Sequence, residues 1–139
     1  MTILDTNVFS EVLRPSPDER VLRWLASQEP LATFVTAITL AEMLYGVEAL
    51  PAGKRRARLV AAVNKIFAEE FQERILPFGE DAARVYPKVV AGWESVGRPI
   101  SQADAMIAAV ARVHGATLAT RNTTDFEHCG IRIIDPWTG

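Results

Sequence analysis

Residues 3–8 read ILDTNV: two apolar side chains, an aspartate, two small polar residues, then an apolar residue again. An apolar run that ends on Asp5 admits two readings. Asp5 is the N-cap of a helix that opens near Asn7, or the strand delivers a carboxylate to a cation. Either way Thr2-Ile3-Leu4 is a buried strand followed by a helix. The choice depends on what else the chain brings to that strand's end.

Four further β-like runs follow, at residues 33–36 (TFVT), 74–77 (RILP), 116–120 (ATLAT) and 131–134 (IRII). Helical patterns separate them. Residues 7–13 are stopped by Pro15 and Pro17, and residues 19–27 carry Val21, Leu22, Trp24 and Leu25 on roughly one face. Residues 40–50 and 54–71 flank the breaker PAG. Residues 81–95 are expected to bend at Pro87, and residues 102–114 end at Gly115, suited to a left-handed cap. Strands separated by helices need crossovers, so the chain is read as α/β: a mostly parallel central sheet of about five strands with helices on both faces. Ligands of such sheets bind beyond the carboxyl ends of the strands. Asp5 ends the first strand, and Thr120, Arg121, Asn122 and Asp125 follow the fourth, so two polar clusters should meet at one edge.

At 139 residues, with 49% apolar and 23% charged side chains and no repeat or low-complexity tract, the chain is expected to form one domain over 1–139. The single cysteine, Cys129, excludes an internal disulfide framework. No apolar run is long enough for a bilayer and no leader pattern opens the chain, so a cytoplasmic protein without membrane contact is expected. A net charge of −2 gives no general attraction to nucleic acid. The one dense basic cluster, Lys54, Arg55, Arg56 and Arg58, reads first as a solvated helix face.

Two more acids begin apolar helices. Glu42 lies in TAITLAEMLYGVEAL and Asp104 in RPISQADAMIAAVARVHG. Thr39 with Glu42, and Ser101 with Asp104, have the form of capping boxes, and an acid in a first turn gains roughly 0.3–1 kcal/mol from the helix dipole. Capping alone leaves the surroundings unexplained. Asp104 sits between Ala103 and Ala105, and Met106 through Val110 are all apolar, so that helix must be buried on most sides. Three acids at the ends of buried elements repel one another and are costly unpaired. Arg121 and Arg98 are the nearest cations by sequence, and a divalent metal removes the difficulty.

At these residues the sequence resembles the PIN-domain family, specifically the VapC-like (FitB-like) toxin ribonucleases of type II toxin–antitoxin modules. The resemblance rests on LDTNVFSEVLRP, AITLAEMLYGVEAL, ISQADAMIAAVARVHGATLATRNTTDF and the terminal IIDPW, in family order across nearly the whole chain. It implies that Asp5, Glu42 and Asp104 bind Mg²⁺ or Mn²⁺ and serve catalysis. A fourth family acid often follows the fourth strand; that position holds Asn122 here, and Asp125 comes three residues later as a further candidate. Thr6, Asn7, Thr120 and Asn122 would position carboxylates or waters. Glu42 would ligate directly or through water and orient or deprotonate the nucleophile. Arg121, Arg98, Arg14 and the 54–58 cluster would guide an RNA backbone.

The resemblance further implies an antitoxin partner of the VapB or FitA type that alone contacts operator DNA, and a homodimer, for whose interface Tyr86 and Trp93 are candidates that the sequence does not place. The apolar residues of the helix pair over residues 40–71, Leu44, Tyr45, Val47, Leu50, Leu59, Val63 and Phe67, read first as packing against the sheet, with contact to a partner helix as the second reading. A receiver-like phosphoacceptor is disfavoured because Lys54, Lys65 and Lys88 all lie in helical stretches. A haloacid-dehalogenase phosphatase needs an aspartate where Asn7 stands. The remaining alternative is a catalytically degenerate PIN-like module that only binds an antitoxin-type partner, which Asn122 keeps open and the three intact acids oppose.

Overall fold

The computed structural model describes residues 1–138. Five short strands, β1 (Thr2–Leu4), β2 (Thr33–Thr36), β3 (Ile75–Leu76), β4 (Thr117–Ala119) and β5 (Arg132–Ile134), form one sheet in the order β3-β2-β1-β4-β5. Every pairing is parallel, with Ile3 level with Phe34 on one side and Leu118 on the other. Parallel strands need crossovers, and six helices supply them: α1 (Thr6–Val12), α2 (Glu19–Ala26), α3 (Ala37–Glu48), α4 (Lys54–Glu69), α5 (Glu80–Ser95) and α6 (Gln102–His114). Single 3₁₀ turns lie at Pro30–Ala32 and Thr123–Phe126.

Alternation along each strand divides the core in two. Ile3, Phe34, Leu76, Leu118 and Ile133 face α5 and α6, while Leu4, Val35, Ile75, Ala119 and Ile134 face α1, α2 and α4. The first layer is closed by Ile107 to Ala111 of α6 and by Val89 and Trp93 of α5. The second is closed by Phe9, Phe67 and Phe71, whose ring centroids lie 4.7–6.2 Å apart. Each fully buried valine, leucine or isoleucine contributes about 1.5–3 kcal/mol. β1 is central, and its two faces are buried in different layers, Ile3 in the first and Leu4 in the second.

The strand order also fixes where a ligand can approach. From β1 the chain steps outward through β2 to β3, then returns across α5 and α6 to place β4 on the other side of β1. The crevice beyond the carboxyl ends of β1 and β4 is therefore the topological switch point.

Several expectations change. α3 opens at Ala37, three residues earlier than the pattern suggested, because the Thr36 hydroxyl at the end of β2 accepts the Thr39 amide at 3.1 Å. Thr39 and Glu42 are thus not a capping box. α5 continues through Pro87 without interruption. Trp93 is only 2% exposed and its indole N–H donates to Cys129 Sγ at 3.2 Å, so it is core and takes no part in a dimer surface. Tyr86 is half-buried, edge-on to Phe78. Of the apolar residues on α3 and α4, Val47, Val63 and Phe67 are buried within this chain, whereas Tyr45 is 77% exposed. Arg56 in the basic cluster pairs with Glu48 at 2.9 Å.

Gly92 of α5 shows how tightly the first layer is closed: a Cβ built there lies 2.9 Å from the backbone oxygen of His128. In an open helix, alanine would stabilise over glycine by about 1 kcal/mol. Here Gly92→Ala is expected to destabilise by about 1–3 kcal/mol through overpacking, measured by chemical denaturation. A variant more stable than wild type would contradict this packing.

Candidate active site

Asp5 stands where β1 gives way to α1, and its two oxygens do different things. Oδ1 caps the helix, accepting the Thr6 amide at 2.9 Å. Oδ2 accepts the Thr120 hydroxyl at 2.7 Å, from the residue just past β4. Thr120 in turn accepts from the Asn7 side-chain amide at 3.2 Å and the Asn122 backbone amide at 3.1 Å, and the Arg121 amide donates to Asn7 Oδ1 at 3.3 Å. The strand ends are thereby tied through side chains from both clusters. Capping and delivery of a carboxylate to the crevice are both true of Asp5.

Asp5 is 4% exposed, yet no lysine or arginine pairs with it among the described residues. Burial raises its carboxyl from the ordinary 3.8 to about 6; hydrogen bonds from Thr120 and Thr6 oppose the rise, and the charges of Asp104 and Glu42 add to it.

Glu42 lies in the second turn of α3, so its carboxylate is not consumed by capping. Oε1 accepts the Thr6 hydroxyl at 2.6 Å, and Thr6 also lies 3.0 Å from the Thr39 hydroxyl. Asp104 is the third residue of α6. Ser101 caps that helix by accepting the Asp104 amide at 3.1 Å, which leaves the side chain half-buried at the crevice. Its carboxyl is also raised, by burial first and then by the charges of Asp125 and Glu42, against a hydrogen bond from Ser101. Asp5 thus feels both Asp104 and Glu42, and Asp104 feels Glu42 and Asp125.

Asp5, Glu42 and Asp104 line one open cavity of about 450 Å³ together with Thr6, Asn7 and Asn122. Arg121 is at its rim, its guanidinium 5.1 Å above the Trp137 ring. Asp125 and Arg98 are placed differently. Asp125 is exposed in the Thr123–Phe126 turn, and with Arg98 it borders an adjoining cavity of about 230 Å³ on the far side of Asp104. Arg98 lies 5.4 Å over the Trp93 ring there. Asn122, not Asp125, shares the cavity with Asp5. None of Lys54, Arg55, Arg56 or Arg58 lines it.

Glu11 escaped the sequence reading. It is 5% exposed, accepts Arg14 Nη1 at 3.2 Å and the Asp18 amide at 3.0 Å, and lines the same cavity. The available signal was helical spacing: Asn7 and Glu11, four apart, fall on one face of α1, and Arg14 follows three residues later just past its end. Trp137, in the terminal IIDPW, was likewise not singled out as a lining residue. A separate cavity of about 420 Å³, walled by Phe9, Leu25, Ile66 and Phe71, is apolar and carries Glu70 as its one acid. The chemistry is not there.

The donor set suits a hard divalent cation: carboxylate oxygens only, repelling one another, with amide and hydroxyl groups around them. Among the described residues no three acidic, imidazole or thiol side chains converge closely enough to ligate one ion directly. An ion held here would complete its shell with water, as Mg²⁺ commonly does.

The folded metal-free protein holds the Asp5 proton up to about pH 6, whereas the unfolded chain releases it near 3.8. Its stabilising contribution is thus complete below 3.8 and lost as pH rises through 6, ~3 kcal/mol in all. In chelator, Asp5→Asn is expected to melt above wild type at pH 8 and level with it near pH 4. A difference independent of pH would contradict the burial of an unpaired carboxylate.

Comparison with known proteins identifies the family and the fold. Residues 2–130 match the family described as "PIN domain". The chain is 42% identical over 137 residues to VapC ribonuclease Y4jK of Sinorhizobium fredii, covering 99% of this chain and 98% of that protein. It is 40% identical to Toxin FitB of Neisseria gonorrhoeae over 137 residues, 99% of each. Among solved structures, FitAB bound to an IR36 DNA fragment contains a chain that superposes with a TM-score of 0.92 at 41% identity, covering 99% of this chain and 96% of that one. With its sheet order, its acid-lined switch point and these relatives, the chain belongs to the PIN-domain family.

Proposed function

We propose that this protein is a Mg²⁺- or Mn²⁺-dependent endoribonuclease, the toxin component of a type II toxin–antitoxin module. The observation that carries the proposal is the shared cavity. Three acids from β1, α3 and α6 border it, and the most buried of them lacks a cationic partner. The relatives named as a VapC ribonuclease and a FitB toxin support the same reading.

Together, Asp5, Asp104 and Glu42 would hold the cation, in part through bridging water. When bound, it supplies charge neutralisation at the attacked phosphate and acidifies a water. The chain's own residues do the rest. Thr120 and the α1 amide fix the Asp5 carboxylate, so it is preorganised before substrate arrives. Thr6 engages Glu42 through Oε1, and Oε2 remains to orient the nucleophilic water or take its proton. Asn122 borders the cavity as a neutral hydrogen-bonding group rather than a fourth charge. Arg121 and Arg14, at the rim, offer positive charge to the RNA backbone.

An antitoxin of the VapB or FitA type is the proposed partner, supported by the FitAB–DNA complex among the solved relatives. With a net charge of −2, the chain has no general attraction of its own for DNA, so operator contact falls to the antitoxin. A homodimer is part of the same proposal, with Trp93 excluded from its interface by burial.

The test is cleavage of defined RNAs in Mg²⁺, Mn²⁺ and chelator. Wild type is expected to cut only with metal, and Asp104→Asn to lose at least about 100-fold in rate. An Asp104→Asn variant as fast as wild type would remove the site assignment. Absence of cleavage by wild type, with antitoxin binding retained, would instead favour the non-enzymatic module.

A further inference from the structure

Three polar cavities adjoin at the carboxyl edge of the sheet and share walls. Asp104 borders both the central acidic cavity and the smaller one at Arg98, and Trp137 borders both the central cavity and a third of about 380 Å³. The third is formed by Arg20, Arg23, Trp24 and Ser27 of the α2 region together with Trp137 and Thr138. Arg121 lies over the shared Trp137 ring, and so marks the passage from one to the other.

The two side cavities differ in charge. The one at Arg98 sets a single guanidinium against Asp104 and Asp125, a net negative wall. The one beyond Trp137 has two guanidiniums in its lining; Arg20 is paired with Asp18 and also feels Asp135, so Arg23 is its unpaired cation among the described residues. Arg20 is fixed by a two-point grip on Asp18, Nε to Oδ1 at 3.1 Å and Nη2 to Oδ2 at 2.8 Å, which holds its head in one orientation. Arg121 is close enough for its charge to help Arg20 hold the Asp18 carboxyl down, to about 2. Arg23, exposed in the last turn of α2, forms no ion pair among the described residues. A chain whose net charge is −2 thus places Arg121 at its acidic cavity and Arg23 at the cavity that shares Trp137 with it. A guanidinium over an indole ring, with an unpaired one in the cavity beyond, suits a phosphodiester backbone with unstacked bases, and the volume lies within the roughly 300–1,000 Å³ of small-ligand pockets.

We propose that the cavity of Arg20, Arg23, Trp24 and Trp137 is a subsite for the single-stranded RNA backbone flanking the scissile bond, entered from the acidic cavity beneath Arg121. This rests on the nuclease reading for the identity of the strand. It makes the footprint asymmetric: one flank of the substrate is gripped, and the flank toward Asp125 is not. Double-stranded RNA on the gripped side is excluded, because its bases are paired and its phosphates splayed on a rigid helix.

The test is equilibrium binding of a fluorescent single-stranded oligoribonucleotide to full-length protein in chelator, across a salt series, for wild type, Arg23→Ala and the control Lys88→Ala on α5. Arg23→Ala is expected to weaken binding about 3–10-fold and to lower the slope of log K against log salt by about 0.7–1. Lys88→Ala is expected to match wild type. Shortening the RNA from one end only should abolish the difference between wild type and Arg23→Ala. Unchanged affinity and slope in Arg23→Ala, with metal-dependent cleavage by wild type intact, would overturn the subsite and leave the nuclease standing. Weaker RNA binding in Arg23→Ala, when wild type binds the RNA but cuts nothing, would support the subsite and sink the nuclease. A variant that loses affinity for the antitoxin but not for RNA would reassign the cavity to a peptide and overturn the proposal.

Discussion

The hydrogen bond from the Thr120 hydroxyl to Asp5 Oδ2, 2.7 Å long and buried, is the contact on which the rest of the site depends. It joins the carboxyl ends of β1 and β4, the two strands between which the chain reverses its direction of travel across the sheet. Thr120 also receives Asn7 and the Asn122 amide, so both polar clusters are built around one hydroxyl. Its neutrality is part of the design. A lysine or arginine there would satisfy Asp5 outright and leave no reason for a cation to bind. A hydroxyl orients the carboxylate while leaving its charge uncompensated.

That arrangement costs stability. A buried carboxylate raised to about 6, facing two further acids, weakens the metal-free fold at neutral pH. The deficit is offset by the two apolar layers, above all by α6, whose residues Ile107 to Ala111 are shielded from solvent almost completely. The same helix that closes the core carries Asp104 in its first turn. Core packing and site geometry are thus one constraint: α6 cannot shift without moving a carboxylate. Local inconsistency at a functional centre, supported by consistent packing elsewhere, is the expected pattern for a protein that binds an ion or substrate there.

Much of this was legible in residue order, for identifiable reasons. α6 was bounded correctly because Ser101 and Gly115 are unambiguous caps, the glycine in the left-handed conformation at φ 59°. Asp5 was legible because an apolar run stops on it. The start of α3 was not, since Thr36 and Thr39 can each cap a helix, and the choice depends on where β2 runs out of partners. That error made Glu42 look like a capping acid when its carboxylate is engaged only by Thr6. Trp93 was misjudged because exposure on an amphipathic helix depends on what packs across it, here Cys129 and the His128 ring at 5.0 Å. Asp125 and Asn122 were separable only once the Thr123–Phe126 turn was placed, which carries Asp125 behind Asp104. Glu11 was hidden because a lone acid in a short helix normally faces water.

The central claim is that uncompensated carboxylates at the β1–β4 crevice exist to hold a divalent cation. Calorimetric titration of Mn²⁺ into metal-free protein tests it most directly, with Asp5→Asn alongside. The account predicts saturable binding by wild type that weakens as pH falls through about 6, where protons compete for Asp5, and loss of that binding in Asp5→Asn. Absence of Mn²⁺ binding by folded wild type, or binding that Asp5→Asn leaves intact, would contradict it.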